Sequence, residues 1–412
     1  MTDAGQQKAS LHLPKTGPRY RLAILAMHVI QYHSPLYRKL AESDKIDPTV
    51  LFLDKTGARP TYDSTMKTVI QWDVPLLDGY KYYFLPNWSP FKTRFAINRI
   101  NPGLLLWLKK KRFDGVFLQG YTAISYWLGL VAAKLSGIDV IFRGEATLKK
   151  NKSSSLAERI KSLGLGSMLK HSDAVLYSCT GNRKYFKHYG CPAEKLHPFL
   201  SAVDNDYFRA QIGKLRRSPE NLRRQLGISR DSFVVLTVGR IDKRKRHRDL
   251  ISAVNVLQKR SYNVSLVIVG DGPEKTRLEK MVRQKSIRNI HFVGFKNQSE
   301  IAAYYYTSDI FVLCSTYDPS PKVINEALNF SLPLVCSDCV GTVGDIVIDA
   351  DNAFVFNAGN VGQLTDAIER LIRDPDLRKR MGGRSYQLSD KWTLEENVKS
   401  LENVIEHLRH RR

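Results

Sequence analysis

The sequence contains few cysteines, and they follow no disulfide or zinc pattern. Five cysteines, Cys179, Cys191, Cys314, Cys336 and Cys339, occur in 412 residues. Such sparse and odd-numbered usage argues against a disulfide framework and indicates a reducing compartment. Cys336 and Cys339 have CxxC spacing, but no second pair or nearby histidine completes a zinc set, so we interpret them as small thiols at a strand end.

Long apolar segments are also missing. The first twenty residues are polar, so no secretory signal is expected. The longest apolar stretch, residues 121–133, is too short to cross a membrane. We therefore expect a cytoplasmic protein, and peripheral binding to the inner face of the cell membrane stays open.

Acidic residues are scarce relative to basic ones. The chain has 64 lysines and arginines against 40 aspartates and glutamates, a formal net charge of +24. Such a charge attracts nucleic acids, anionic membranes or phosphorylated ligands. No helix-turn-helix, zinc-finger or RNA-recognition signature accompanies it, so no nucleic acid partner is expected, although a basic nucleic-acid-binding protein remains an alternative.

Three basic segments are interleaved with apolar residues. They are residues 104–112, which include Trp107, and residues 149–152 and 160–170. This combination suits the surface of an anionic membrane. Ordinary solvated helix faces explain the same pattern, so a membrane partner is a hypothesis.

Short apolar runs alternate with helix-length segments along most of the chain. Five runs lie within residues 22–177 and six within residues 233–356. Nearly continuous apolar runs indicate strands buried on both faces, and alternation with helices indicates parallel βαβ sheets. We predict an α/β protein of two Rossmann-like, doubly wound domains facing a central cleft.

The predicted domain boundaries follow from the same pattern. Residues 1–205 form an N-terminal Rossmann-like domain, residues 206–385 form a C-terminal Rossmann-like domain, and residues 386–412 form a helix that packs back towards the N-terminal domain. The boundary segment 206–224 is polar and basic, and we expect no sustained helical period in it.

Two strand ends in the second half carry charged residues. Asp318 and Glu326 flank a turn from a strand to a helix, where unpaired backbone N–H groups can bind an anion. Gly239 ends another strand and permits close approach of a ligand. Arg240 and Lys245 follow it and suit phosphate oxygens, whereas the remaining cations of this loop fit a solvated charge run.

These segments, in this order, resemble the family 4 retaining glycosyltransferases of the GT-B fold, in particular bacterial members of polysaccharide or glycolipid biosynthesis. The resemblance covers nearly the whole chain. Its elements are Gly239-Arg240 with Lys245, the segments 270–273 and 292–295, the Asp318-x7-Glu326 pair, Pro333, Gly341, the segment 198–204 with Phe208, and the segment 31–37.

The resemblance implies transfer of a sugar from a nucleoside-diphosphate donor to a hydroxyl of a saccharide or lipid-linked acceptor. It implies retention of anomeric configuration, with neither a metal nor a cofactor. It also implies that the N-terminal domain, residues 1–205, binds the acceptor and that the C-terminal domain, residues 206–385, binds the donor. The implied catalytic residues are Arg240, Lys245, Asp318 and Glu145. The implied donor-binding residues are Glu326, Gly239, Arg240, Lys245, Ser320, Pro321, Lys322, Val323, Phe295 and Lys296. Arg143 and His33 are placed on the acceptor side.

Individual roles follow from the matched positions. Glu326 matches the acid that holds the ribose, and Arg240 and Lys245 match the pair that binds the diphosphate. The nucleotide base is expected near the backbone of Phe295 and Lys296.

The sequence departs from the family pattern at two places. Asp318 stands where a glutamate is usual, so its side chain is one methylene shorter, and a catalytically silent relative remains an alternative. Arg143 and Glu145 stand where many relatives carry a histidine near the transferred sugar. They could replace that histidine, or they could form an ion pair that fixes a loop. For His28 and His33 a packed loop histidine is the simpler interpretation.

Overall fold

Each half of the chain forms a parallel β-sheet flanked by helices. The structure is a computed structural model that describes residues 18–63, 68–90, 98–148, 156–215 and 219–411. Every neighbouring pair of strands within the two large sheets runs parallel. The prediction of two doubly wound parallel-sheet domains is therefore confirmed.

The strands of the first half are β1 (Tyr20–Ala26), β2 (Ile46–Phe52), β3 (Thr61–Asp63), β4 (Thr68–Ile70), β5 (Lys81–Phe84), β6 (Gly115–Gln119), β7 (Asp139–Arg143), β8 (Ala174–Tyr177) and β9 (Leu196–Pro198). The helices are α1 (Ser34–Glu42), α2 (Leu104–Lys110), α3 (Ile124–Leu135), α4 (Leu156–His171) and α5 (Thr180–His188). The sheet order is β5-β2-β1-β6-β7-β8-β9, and β3 and β4 form a separate antiparallel hairpin.

The strands of the second half are β10 (Phe233–Val238), β11 (Val264–Val269), β12 (Ile290–Gly294), β13 (Ile310–Leu313), β14 (Leu334–Ser337) and β15 (Ala353–Phe356). The helices are α6 (Asn205–Leu215), α7 (Pro219–Gln225), α8 (His247–Lys259), α9 (Lys275–Gln284), α10 (Gln298–Tyr306), α11 (Lys322–Asn329), α12 (Val361–Arg373), α13 (Pro375–Ser389) and α14 (Leu394–Arg409). The sheet order is β12-β11-β10-β13-β14-β15.

The order of the strands fixes where a ligand can bind. In the second sheet β10 lies between β11 and β13, so the connections after β10 and β13 diverge to opposite sides. In the first sheet β1 lies between β2 and β6 in the same way. Ligands of open parallel sheets bind in the crevice that such a divergence leaves at the carboxyl ends of the strands.

The expectation for the boundary segment was wrong, because residues 205–215 and 219–225 are helical in α6 and α7. Helix α6 packs against α10 and α11. Phe208 is 1% exposed, and its ring centroid lies 6.2 Å from that of Phe330. A single large buried side chain anchors a helix whose remaining polar surface gives little periodic signal.

Helix α14 returns to the first half of the chain and packs against α1 and β9. Two ion pairs fix its outer face, with Lys39 and Glu395 2.9 Å apart and Lys45 and Glu406 2.6 Å apart. The side chain of Asn397 accepts the backbone N–H of Leu200 through Oδ1 at 2.5 Å and donates from Nδ2 to the Leu200 carbonyl oxygen at 2.9 Å. One hydrophobic core cluster accordingly contains side chains from both halves.

Candidate active site

The loops after β10 and β13 bring two of the implied catalytic residues into contact. Asp242 caps a short 3-10 turn, Lys243–Lys245, by accepting the backbone N–H groups of Arg244 and Lys245. This turn directs Lys245 across the divergence of the sheet, where its Nζ lies 2.5 Å from Oδ2 of Asp318. The side chains of Lys245 and Asp318 are only 17% and 14% exposed. A partly buried ion pair therefore stands at the carboxyl edge of the second sheet.

Two glycines allow backbone segments to approach each other closely at this edge. Gly239 has φ +145° and Gly270 has φ +134°. A Cβ at Gly270 would lie 2.0 Å from the carbonyl oxygen of Gly239, so no other residue fits there. Arg240, which follows Gly239, is exposed at the same edge.

Glu326 lies one turn into α11 and is only 1% exposed. The Tyr305 hydroxyl donates to its Oε2 at 2.6 Å, and Tyr32 makes a second hydrogen bond with the carboxylate. Burial raises the pKa of Glu326, and the two tyrosine hydrogen bonds and Lys322 oppose that rise. The carboxylate that the resemblance assigns to the ribose is thus held by two tyrosines.

The residues at the start of α11 form the floor of the cleft. Pro321 precedes the helix, and Ser320 is 8% exposed with no hydrogen-bond partner for its Oγ. Lys322 donates from Nζ to Oγ of Ser201 at 3.0 Å, a contact between the two halves of the chain. Val323, the next residue, is half-buried.

The first sheet contributes a second group of charged residues. Arg143 ends β7, is 4% exposed, and pairs through Nη2 with Oε1 of Glu145 at 2.5 Å. The side chain of Glu145 is 36% exposed, so the effect of burial, which would raise its pKa, is outweighed by the charges of Arg143 and Lys322, and the pKa is lowered. Burial, together with Lys322 and Arg143, lowers the pKa of His33 to about 3. His33 is therefore neutral at physiological pH.

Phe295 and Lys296 lie apart from these groups, after the edge strand β12. The ring of Phe295 meets Trp72 edge-on with centroids 5.8 Å apart, and Asn297 donates to the backbone carbonyl of Gln71 at 2.6 Å. Lys296 pairs with Glu300 at 3.0 Å. A segment of the first half thus covers the place expected for the nucleotide base.

The two halves also touch along the rim of the cleft. Thr180, at the start of α5, donates from its backbone N and Oγ1 to Asp345 at 2.9 and 2.6 Å. The Tyr317 hydroxyl lies 3.4 Å from the carbonyl oxygen of Thr147. At Gly341 a Cβ would lie 2.0 Å from the carbonyl oxygen of Pro319, so the rim requires glycine there. The contacts of Thr180 with Asp345 and of Tyr317 with Thr147 thus connect the two halves of the chain.

Three residues of the site had no role in the sequence interpretation. Tyr32 and Ser201 lie within segments 31–37 and 198–204, which carried the resemblance, but nothing in the sequence distinguished them from their neighbours. Tyr305 stands in a run of three tyrosines that reads as an ordinary helix. All three act through contacts with residues distant in sequence, which local patterns do not encode.

The other residues considered in the sequence, His28, Cys336 and Cys339, lie in buried or partly buried surroundings. Burial lowers the pKa of His28, and its Nδ1 has no hydrogen-bond partner. Cys336 is buried and Cys339 is partly buried, and the Sγ of Cys339 donates to Oδ1 of Asp338 at 3.5 Å. Within the described residues, no group of three or more His, Cys, Asp or Glu side chains could hold a metal ion.

Comparison with known proteins points to the glycosyltransferase family that the sequence resembles. Residues 218–388 match the family model of glycosyl transferases group 1. Alpha-D-kanosaminyltransferase of Streptomyces kanamyceticus is 33% identical over 198 residues, 48% of this chain and 50% of that protein. Alpha-monoglucosyldiacylglycerol synthase of Acholeplasma laidlawii is 32% identical over 158 residues, 38% of this chain and 39% of that protein. The chain thus spans half or less of the length of these two relatives.

A solved structure extends the likeness to both halves. Anabaena HepE, crystallised in complex with UDP, superposes with a TM-score of 0.70 at 15% identity, covering 94% of this chain and 100% of that one. This likeness bears on the fold, which is GT-B. Residues 218–388 thus match the glycosyl transferases group 1 family within a chain of GT-B fold, which confirms the resemblance found in the sequence.

Proposed function

We propose that the protein transfers a sugar from a nucleoside-diphosphate donor to a hydroxyl of a saccharide or lipid-linked acceptor, with retention of anomeric configuration. The observation that carries this proposal is the Lys245–Asp318 pair at the carboxyl edge of the second sheet, within the group 1 glycosyltransferase domain. Anabaena HepE has been crystallised with UDP in a similar fold, which supports a nucleotide donor.

In the proposed reaction, Arg240 and Lys245 bind the donor diphosphate. The bond from the anomeric carbon to the diphosphate breaks while a bond to the acceptor oxygen forms on the same face of the sugar. The acceptor proton passes to a diphosphate oxygen. Because negative charge builds up on the diphosphate, both cations stabilise the transition state more than the ground state, and we propose that neither a metal nor a cofactor is needed.

Binding of the nucleotide is the first test. A panel of UDP, GDP and ADP should include one compound that raises the melting temperature. A ligand at 100 times its Kd stabilises the folded state by about 2.7 kcal/mol. The measurement is a thermal shift, followed by turnover of the matching sugar nucleotide in EDTA. If no nucleotide changes the melting temperature, the donor site is assigned wrongly.

We also propose that the protein works at the inner face of the cell membrane, on a surface formed by α2, α3 and β5. Helices α2 and α3 pack together, and Tyr83 of β5 lies against Trp107 of α2 with ring centroids 4.6 Å apart. These elements carry the exposed apolar side chains Tyr83, Leu105, Leu106, Val131 and Leu135, at 39–80% exposure. Lys109, Lys110, Lys111 and Arg112 are exposed at the end of α2. No helix of the described residues is long and apolar enough to span a membrane, and residues 149–152 lie outside the described residues.

Flotation with liposomes tests this surface. The protein should float with phosphatidylglycerol vesicles at low salt and much less with phosphatidylcholine vesicles. Leu106→Glu should weaken binding at least about fivefold, because one charge near an anionic surface is worth about 1 kcal/mol. Tyr62→Glu, at an exposed tyrosine of the separate β3–β4 hairpin, is the matched control. Equal binding to both vesicle types would contradict the proposal.

A further inference from the structure

Four titratable side chains from both halves of the chain meet in the cleft. We call Arg143, Glu145, His33 and Lys322 the interdomain charge cluster. The Arg143 guanidinium stacks over the ring of Phe199 at 5.2 Å, and its Nε is buried without a hydrogen-bond partner. Leaving a buried guanidinium nitrogen without a partner is costly, and a bound water, ion or ligand would remove that cost.

The surroundings of the cluster disfavour positive charge. The pKa of Lys322 is lowered to about 8, first by burial and then by the charge of Arg143, although Glu145 and Glu326 act in the opposite direction. The histidine of the cluster is held neutral for the same reasons. Glu326 is already bonded to Tyr305 and Tyr32. A bound anion would therefore offset the electrostatic cost of placing the positive charges of Arg143 and Lys322 together.

We propose that Arg143 and Lys322 bind an anionic group, a phosphate or a carboxylate, that the acceptor carries. This inference rests on the proposed function. The two cations come from different halves of the chain, so an acceptor held between them would also favour the closed cleft. Arg143 lies on the first sheet, whereas Lys245, one of the two cations assigned to the donor diphosphate, is paired with Asp318 on the second. The acceptor is thus an acidic saccharide or a phosphate-linked one.

Glu145 takes the place of this anion in the free protein. Its carboxylate pairs with Arg143 and is stabilised by the charge of Lys322 as well. A bound phosphate or carboxylate would compete with it for the same two cations. Removing the charge of Glu145 should therefore strengthen anion binding, whereas a merely structural ion pair would give no such gain.

Isothermal titration with small probes tests the proposal. Glucose 1-phosphate, glucuronate and glucose are titrated at pH 6.5 and constant ionic strength, with the nucleoside diphosphate saturating the donor site. At least one anionic probe should bind about tenfold more tightly than glucose or better, a factor that corresponds to 1.4 kcal/mol. The phosphate and carboxylate probes distinguish the two kinds of acceptor.

Four variants complete the test. Arg143→Gln and Lys322→Met should each weaken binding of the anionic probe about tenfold or more, because each removes a charge-assisted hydrogen bond. Glu145→Gln should strengthen it. Lys81→Met, an exposed cation paired with Asp47 on the same sheet, should change nothing.

The dependence of anion affinity on pH distinguishes a direct role of Lys322 from a folding defect. Affinity for the anion should fall as the pH rises through about 8, where Lys322 loses its proton in the free protein. The Lys322→Met variant should lack this dependence. The charged and titratable groups that face Lys322 are Glu145, Arg143, Glu326, His33 and Tyr32.

Three results would overturn the inference. They are anionic probes that bind no better than glucose, binding that survives both cation substitutions, and a loss of nucleotide affinity instead of probe affinity in Arg143→Gln. Failure of the proposed function is separable from these, since it is read from the nucleotide panel. If no nucleotide binds, the same titrations without nucleotide still test the two cations.

Discussion

Replacing Lys245 by methionine is expected to lower kcat/KM for sugar transfer by roughly 100- to 1000-fold, the usual loss for one preorganised electrostatic donor. The substitution removes a cation that the proposed transition state needs. It also leaves the carboxylate of Asp318, 14% exposed, without the ammonium group that lies 2.5 Å from it. The measurement is steady-state kinetics with the sugar nucleotide that the thermal-shift panel identifies.

The matched control lies in the same turn. Lys243 belongs to the same 3-10 turn as Lys245 but is exposed to solvent. Lys243→Met should therefore change kcat/KM by less than about threefold, since exposed charges contribute little. Similar losses in both variants would mean that general positive charge near the cleft, rather than the position of Lys245, matters for turnover.

Replacing Gly270 by alanine is expected to destabilise the protein by about 2–6 kcal/mol, the sum of backbone strain and overpacking. At φ +134° an alanine is strained, and its Cβ would lie 2.0 Å from the carbonyl oxygen of Gly239. The ends of β10 and β11 would have to separate. The melting temperature, measured by circular dichroism, should fall by roughly 5–15 °C, and nucleotide binding should be lost with it.

Gly294 provides the control for this substitution. Its carbonyl oxygen accepts the backbone N–H of Gly270 at 2.8 Å, so both glycines lie at the same sheet edge. Gly294 also has positive φ, +76°, but a Cβ there would meet no atom within 4 Å. Gly294→Ala should show only the conformational strain, about 1–2 kcal/mol. Equal changes in melting temperature would show that the contact with Gly239 is not the cause.

Much of the donor edge could be predicted because the rules that place it are local. Gly239, Lys245 and Asp318 each follow an apolar run, and parallel strands joined by helices bring their carboxyl ends to one edge. Lys245 and Asp318 are 73 residues apart in the sequence, and they come together because the strands that precede them, β10 and β13, are neighbours in the sheet. Strands β5 and β9 were not predicted, because they are short edge strands without a continuous apolar run.

The environment of Glu326 could not be predicted in the same way. Its place on α11 followed from the sequence, whereas its hydrogen bond with Tyr305 depends on packing within the second half and its contact with Tyr32 on how the two halves pack. The same is true of Lys322, whose contact with Ser201 spans 121 residues. The way in which one domain packs on the other leaves no periodic pattern in the sequence of either domain.

The sequence by itself therefore determined the two parallel sheets and the position of Arg240 and Lys245 after the end of a strand, since apolar runs that alternate with helical segments are enough to place them. Only the tertiary structure decided which charges are paired. It set Lys245 against Asp318, Arg143 against Glu145, and Lys322 into the cleft between the halves. Burial and the distance between charges set the electrostatics of the site, and both are properties of the packed domains.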